Sequence, residues 1–306
     1  MSTKELCHVT TTSFHNELGS AKYPFESGRY WLFTSKLCPF AHRTELARKL
    51  TGLVDQHIGL TIAGSVQTEK GWNLAEIYSG EGNSSSPVAQ IDRLPGIYEV
   101  ASPDYTGRAS VPVLFDTKTK TIVNNESSEI IQMFDSVALE VTDHQTLYPK
   151  SQRTSIDEII LSINDDLISP IYRTGFASNQ ADYDSNSNKV FTALSKLDSH
   201  LAHTGPFIEG ETLTLADVHA YPHLSRFDAI YHSLYRLNKS FIYNHTNIAA
   251  YLSRLGAIPA FADTLDLQAS KNGYFLSWNQ PTNANFVPVG PVVDPRSGVA
   301  VAGVTP

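Results

Sequence analysis

Residues 30–64 read as strand, tight turn, helix and strand, and that succession constrains the chain more than any other feature. "YWLFTS" (30–35) is a short aromatic run of the kind that fills a buried strand. "AHRTELARKLTGL" (41–53) follows with helix formers and sets Ala41, Leu46, Leu50 and Leu53 three to five residues apart. "HIGLTIAG" (57–64) is a second strand-like run. Two strands separated by a whole helix cannot close as a hairpin. They pair in parallel through a right-handed crossover.

The remainder divides in two. A chain of 306 residues exceeds what one hydrophobic core commonly supports, so two domains are expected, 1–147 and 148–306. Residues 1–28 look like an irregular arm. Residues 65–108 lose periodicity, and "SGEGNSSSP" (79–87) and "SPDYTGR" (102–108) are loop and turn chemistry inside a long irregular insertion. "SVPVLFD" (110–116) and "TIVNNESS" (121–128) read as two strands joined by "TKTK", and a helix begins at Ser127 or Ser128 as cap. After "LYPK" the period is helical, with helices expected over 153–168, 180–203, 215–230 and 247–255. Thr214 stands three residues before Asp217, a capping arrangement. From Gln280 a Pro-, Gly- and Val-rich tail is expected to wrap around the domain or to be partly disordered.

Charge and cysteine content exclude several functions. A net charge of −8 gives no basic face for nucleic-acid phosphate and little attraction to anionic membranes. No run approaches the ~18 apolar residues of a membrane span, and the N-terminus has no apolar signal core, so a cytoplasmic protein is expected. With only Cys7 and Cys38, neither a disulfide scaffold nor a cysteine metal cluster can form, and 11 histidines show no HExxH spacing, so no metal is expected. Cys7, in the arm, reads as chemically incidental.

Cys38 falls between the first strand and its helix. A helix N-terminus offers unpaired N–H groups and positive potential, which favour a thiolate. Pro39 suits the first helical position, and His42 and Arg43 add positive charge. The motif is C-P-F-A, without a second cysteine to resolve a mixed disulfide, so turnover needs an external thiol; the alternative is an inert thiol packed under the turn. Pro112 in a strand core suggests an edge, a bulge or a cis bond, the last of which would turn the Val111 backbone toward a ligand. Glu126 can bind an ammonium group, and Ser127 with a helix N-terminus a carboxylate. A ligand with amine, carboxylate, peptide and thiol groups suits all three places, and glutathione is such a ligand.

The stretches "CPFAHR", "EKGW", "DYTGRASVPVLFD", "IVNNESSEIIQMF", "IYRTGFASNQADY", "RFDAIYH" and "NFVPVGP" stand in family order, and the chain resembles the Xi class of glutathione transferases, the glutathionyl-hydroquinone reductases, over about residues 30–291. The iota class is the nearest neighbour. The resemblance implies an α/β plus all-α protein: a thioredoxin-like N-terminal domain followed by an all-helical glutathione-transferase C-terminal domain, which builds a homodimer. It implies reduction of glutathionyl-hydroquinones with glutathione as co-substrate and Cys38 as nucleophile. Glu126 and Ser127 would hold the γ-glutamyl end, and the Val111 backbone beside Pro112 the cysteinyl part. Trp72 would pack against glutathione, with Phe40 beside the nucleophile, and Arg108 would reach a carboxylate. Tyr172 and Tyr274 would face the hydroquinone, although 14 tyrosines make core packing the ordinary alternative for each. The sequence departs from the family at Phe40, where tryptophan is usual, at "ASKNGYF", where Tyr274 alone remains of two tyrosines, and at a longer "GEGNSSSP". Rival functions are a thioltransferase or dehydroascorbate reductase acting on small disulfides, which needs Cys38 but not the tyrosines, and a glutathione or aromatic-ligand carrier. "RFDAIYHSLYR" groups Arg226, Asp228, Tyr231, His232 and Arg236 as an expected buried network between helices or at the dimer interface.

Overall fold

The computed structural model describes residues 14–54, 56–76, 78, 84–281 and 286–301. These residues form two compact units, one of 14–146 with 268–279, the other of 147–267 with 280–301. Cys7 and the start of the arm lie outside the described residues.

The first unit runs β1 (Tyr30–Ser35), α1 (Pro39–Leu50), β2 (Ile58–Ala63), α2 (Leu94–Ala101), β3 (Val113–Asp116), β4 (Thr121–Asn124) and α3 (Ser127–Val141). The sheet order is β2-β1-β3-β4, with β1 parallel to β2 in the register Tyr30↔Ile58 to Ser35↔Ala63. β3 runs antiparallel to both β1 and β4. Gly59 lets the β1 side chain of Trp31 cross β2: a Cβ at this glycine would lie 2.1 Å from the indole ring. The indole N–H donates to Thr61 Oγ1 at 2.8 Å. Both faces of the sheet are buried, which is why β1 and β2 read as continuous apolar runs rather than alternating ones.

Three local expectations change. The third strand starts at Val113 rather than Ser110, because Pro112 has no N–H for the ladder; the Val111–Pro112 bond is cis. Residues 65–108 are not irregular throughout, since α2 carries a proline in its first turn and buries Leu94, Ile97 and Tyr98. The cap of α3 is Glu126, one residue before the expected serines, and its carboxylate accepts the Ser128 N–H at 3.3 Å. The described end of the arm follows β4, with Asn16 N–H donating to Val123 O at 3.0 Å.

The second unit is helical: α4 (Arg153–Ile163), α5 (Ser169–Gly175), α6 (Gln180–Thr204), α7 (Leu215–Arg226), α8 (Thr246–Gly256) and α9 (Pro259–Thr264). π-Helical turns at Asn164–Ile168 and Phe227–Tyr231 continue α4 and α7. The capping box is present, with the Asp217 carboxylate accepting the Thr214 N–H at 2.8 Å. Asp217 also accepts the Ile208 N–H and the Tyr251 hydroxyl, each at 3.0 Å. The Asp228 carboxylate accepts N–H groups of Ile242 at 2.7 Å and Ala300 at 2.8 Å, and so fastens the C-terminal tail. Tyr221 also holds the tail, donating its hydroxyl to Arg296 O at 2.9 Å. Arg226, Asp228 and Tyr231 are buried, Asp228 bonding backbone N–H groups and Arg226 donating to Pro222 O at 2.8 Å. His232 instead stacks on Phe241 at 3.9 Å, and Arg236 is exposed beyond the helix end.

The last helix, α10 (Leu267–Leu276), belongs to the first unit except for Leu267. Gly273 makes this docking possible: a Cβ would stand 2.6 Å from Ser65 O and 2.7 Å from Leu37 Cβ. Ser270 donates its hydroxyl to Lys36 O at 2.7 Å, and Gln67 N–H donates to Ser277 Oγ at 2.8 Å.

Candidate active site

Cys38 is the N-cap of α1, with Pro39 at its first turn. Its Sγ accepts the Ala41 N–H at 3.5 Å and donates to the Val111 carbonyl at 3.7 Å. The thiol is half-buried. A sulfur that receives a helix-start N–H is in the setting that stabilises the thiolate. The turn carrying it is braced on both sides. Lys36 forms a buried ion pair with Glu45 of α1, while α10 lies against Leu37.

A second helix start lies close by. Arg43, on the inner face of α1, carries its guanidinium 4.8 Å from the Phe40 ring centre and donates to Ser127 Oγ at 3.4 Å. Ser127 is 2% exposed and opens α3. Glu126 is half-buried, and Asn124 Oδ1 accepts its backbone N–H at 2.7 Å. Cys38, Val111 and Pro112 therefore form one cluster, and Phe40, Ser127 and Glu126 a second, reached through Arg43. Arg43 appeared in the sequence only as nearby charge. Its helical position was readable, but its partner lies 84 residues away.

The other expected residues are placed more loosely. Trp72 is 4% exposed, and its carbonyl accepts the Leu94 N–H at 3.0 Å, which ties it to the start of α2. Arg108 is exposed, and its carbonyl accepts the Tyr105 hydroxyl at 3.0 Å. Tyr274 is 2% exposed on α10, one residue beyond the glycine that packs on Leu37. Tyr172 belongs to the helical unit, on α5. Its ring lies 5.8 Å from Tyr235 and 6.2 Å from both Tyr231 and His223, an aromatic cluster that the sequence did not single out. Asn125, next to Glu126, donates from Nδ2 to the Tyr98 hydroxyl at 3.1 Å, a contact that the sequence did not single out. Among the described residues, no group of three or more His, Cys, Asp or Glu side chains is arranged to hold a metal ion. No described helix is long and apolar enough to cross a membrane.

Residues 37–137 match the family described as Glutathione S-transferase, N-terminal domain, and residues 180–254 match Glutathione S-transferase, C-terminal domain. The chain is 38% identical to the Schizosaccharomyces pombe protein named glutathione S-transferase omega-like 2, over 87% of each sequence. It is 34% identical to the glutathionyl-hydroquinone reductase YqjG of Escherichia coli, over 90% of this chain and 83% of that one. The glutathione-bound structure of YqjG superposes with a TM-score of 0.86, covering 92% of this chain and 94% of the other. The crystal structure of the glutathione-S-transferase Xi from Phanerochaete chrysosporium gives 0.87 at 33% identity, over 93% and 97% of the two chains.

Proposed function

Because the chain belongs to the Xi class of glutathione transferases, the glutathionyl-hydroquinone reductase family, we propose that it removes glutathione reductively from glutathionylated hydroquinones. The fold is that of the family, a thioredoxin-like N-terminal domain and a helical C-terminal domain. The observation that supports Cys38 as nucleophile is its Sγ at the N-cap of α1, receiving the Ala41 N–H at 3.5 Å.

The Cys38 thiolate attacks the sulfur of the adduct. A sulfur–sulfur bond forms, the sulfur–aryl carbon bond breaks, and its electron pair stays on the ring carbon, which takes a proton. The products are the hydroquinone and a Cys38–glutathione mixed disulfide. A second glutathione thiolate attacks the glutathionyl sulfur, releasing oxidised glutathione and the Cys38 thiolate. Glutathione is co-substrate, and each of its polar groups is assigned a place in the reading. The Val111 backbone is assigned to its cysteinyl amide, with Pro112 fixing the turn. Glu126 is assigned to its ammonium group, and Ser127 with the α3 N-terminus to its glutamyl carboxylate. Phe40 and Trp72 are assigned as apolar surfaces and Arg108 to the remaining carboxylate. The hydroxyls of Tyr172 and Tyr274 are assigned to the hydroquinone, where they would stabilise charge and supply the proton. A homodimer built through the helical unit and a cytoplasmic setting complete the reading.

Steady-state reduction of a glutathionyl-hydroquinone by wild type, Cys38→Ser and Tyr274→Phe tests it. The expected result is turnover that is abolished in the cysteine variant and reduced about a hundredfold or more in the tyrosine variant, the scale on which general acids act. Reduction of small mixed disulfides without turnover of the adduct would instead identify a thioltransferase.

A further inference from the structure

The loop before Pro112 and the turn before α3 meet at one hydroxyl group. Tyr98, on α2, is 1% exposed. Its Oη donates to the Ser110 carbonyl at 2.8 Å and accepts the Ser110 N–H at 3.3 Å and Asn125 Nδ2 at 3.1 Å. A phenol has one proton and two lone pairs, so all three are used. Burial raises the Tyr98 pKa above its ordinary value and keeps the group neutral. Ser110 precedes Val111, and Asn125 precedes Glu126. The hydroxyl is therefore one residue away from each of the two backbone stretches assigned to glutathione.

Asn125 keeps its bond to this oxygen although its own Oδ1 is buried without a hydrogen-bond partner among the described residues. Turning the amide over would place Oδ1 against an oxygen whose only proton is committed to Ser110. Tyr105 supports the loop from the same side: its ring lies 4.8 Å from Tyr98, and its hydroxyl holds the Arg108 carbonyl. Tyr98 alone of the two phenols also reaches Asn125.

We propose that Tyr98 is a positioning residue for glutathione, its hydroxyl fixing the separation between the Val111 backbone and the Glu126–Ser127 helix start. This rests on the glutathione site described above. A ligand that bonds both stretches at once binds tightly only when their spacing is set in advance, because otherwise binding itself must order them. Chemistry at Cys38 uses neither Tyr98 nor Asn125, so affinity and turnover respond differently.

The test is calorimetric titration of glutathione, under reducing conditions, into wild type, Tyr98→Phe, Asn125→Ala and the double variant, alongside steady-state kinetics. Each single variant is expected to bind about fivefold more weakly, the scale of one net hydrogen bond. Turnover at saturating glutathione stays within about twofold of wild type in both. The double variant is no weaker than the weaker single, since both substitutions break one connection. Unchanged affinity in Tyr98→Phe, additive losses, or turnover falling without loss of affinity would overturn the proposal. Should Tyr98→Phe fail to fold, Asn125→Ala decides alone, and wild-type affinity there overturns the proposal. A wild type that does not bind glutathione overturns the site reading and this inference together. A wild type that binds, with Tyr98→Phe binding equally well, overturns only the inference.

Discussion

Arg43 donates from Nη1 to Ser127 Oγ at 3.4 Å, joining the interior of α1 to the first residue of α3. The same guanidinium lies over the Phe40 ring, and the side chain is 1% exposed. One residue thus couples the helix start that carries the candidate nucleophile to the helix start assigned to the glutamyl end. A planar cation suits that task, because it can stack on an aromatic face while its edge donates hydrogen bonds.

Arg43→Lys keeps the charge and loses the plane. A lysine that reaches Ser127 cannot also lie flat on Phe40, so the variant is expected to lose on the order of 1 kcal/mol. The glutathione KM should rise several-fold. Thermal denaturation and steady-state kinetics check both effects, and an unchanged melting temperature would show that the ring contact contributes nothing.

Cys38→Ser separates chemistry from structure. Serine is among the preferred N-cap residues, and its hydroxyl can accept the Ala41 N–H that Cys38 Sγ now receives. The fold should be at least as stable as wild type and glutathione affinity should stay within a few-fold, while turnover falls to background. A variant that still reduces the adduct at the wild-type rate would remove Cys38 from the mechanism.

The parts of this arrangement legible in the sequence are those set by local signals. Strand, turn and helix around Cys38 follow one another within about twenty residues, and Pro39 and Pro112 announce their own constraints. The crossover unit followed from the same stretch, because a helix between two apolar runs leaves little choice of pairing. What stayed hidden depends on distant partners. Tyr98 lies in a region whose flanking glycines, serines and prolines read as loop, and its hydrogen bonds span 12 and 27 residues. By residue type Ser127 or Ser128 is a stronger cap of α3 than Glu126, one or two residues earlier. Asn124 and Glu126 instead organise the turn that precedes it. The aromatic cluster around Tyr172 draws on α5, α7 and the segment after it, which no periodicity connects.

Glu126 caps α3 and is assigned a ligand contact, and different substitutions separate the two. Its carboxylate caps α3 through the Ser128 N–H, and its charge is assigned to the ammonium group of glutathione. Glu126→Gln keeps an acceptor oxygen and loses the charge, so the melting temperature should barely move while glutathione affinity drops at least tenfold, the scale of a charged hydrogen bond. Glu126→Ala should lose affinity and also about 1 kcal/mol of stability through the missing cap. Equal affinity in Glu126→Gln and wild type would take the ammonium contact away from this residue.

Asp116 gives the first unit a pH-dependent share of its stability. Burial pushes its carboxyl up, but hydrogen bonds from Arg29, Thr119 and the backbone of Lys118 and Thr119 outweigh that and hold it at about 2, against an ordinary value of 3.8. The Arg29 guanidinium donates to both carboxylate oxygens, at 2.9 and 2.5 Å, and joins the residue just before β1 to the last residue of β3. A carboxyl whose pKa is lower in the folded state contributes stability that is fully present above the unfolded value. That contribution disappears as pH falls through the folded value. The window is therefore pH 4 to 2, and the contribution at neutral pH is about 2 kcal/mol. Asp116→Asn should be less stable than wild type at pH 7 by about that amount, because the charged contact is lost while Arg29 keeps its ion pair with Glu26, and its stability should lack this component of the fall between pH 4 and 2. Denaturant titrations at a series of pH values would show it, and parallel curves for the two proteins through that window would rule out Asp116 as the source.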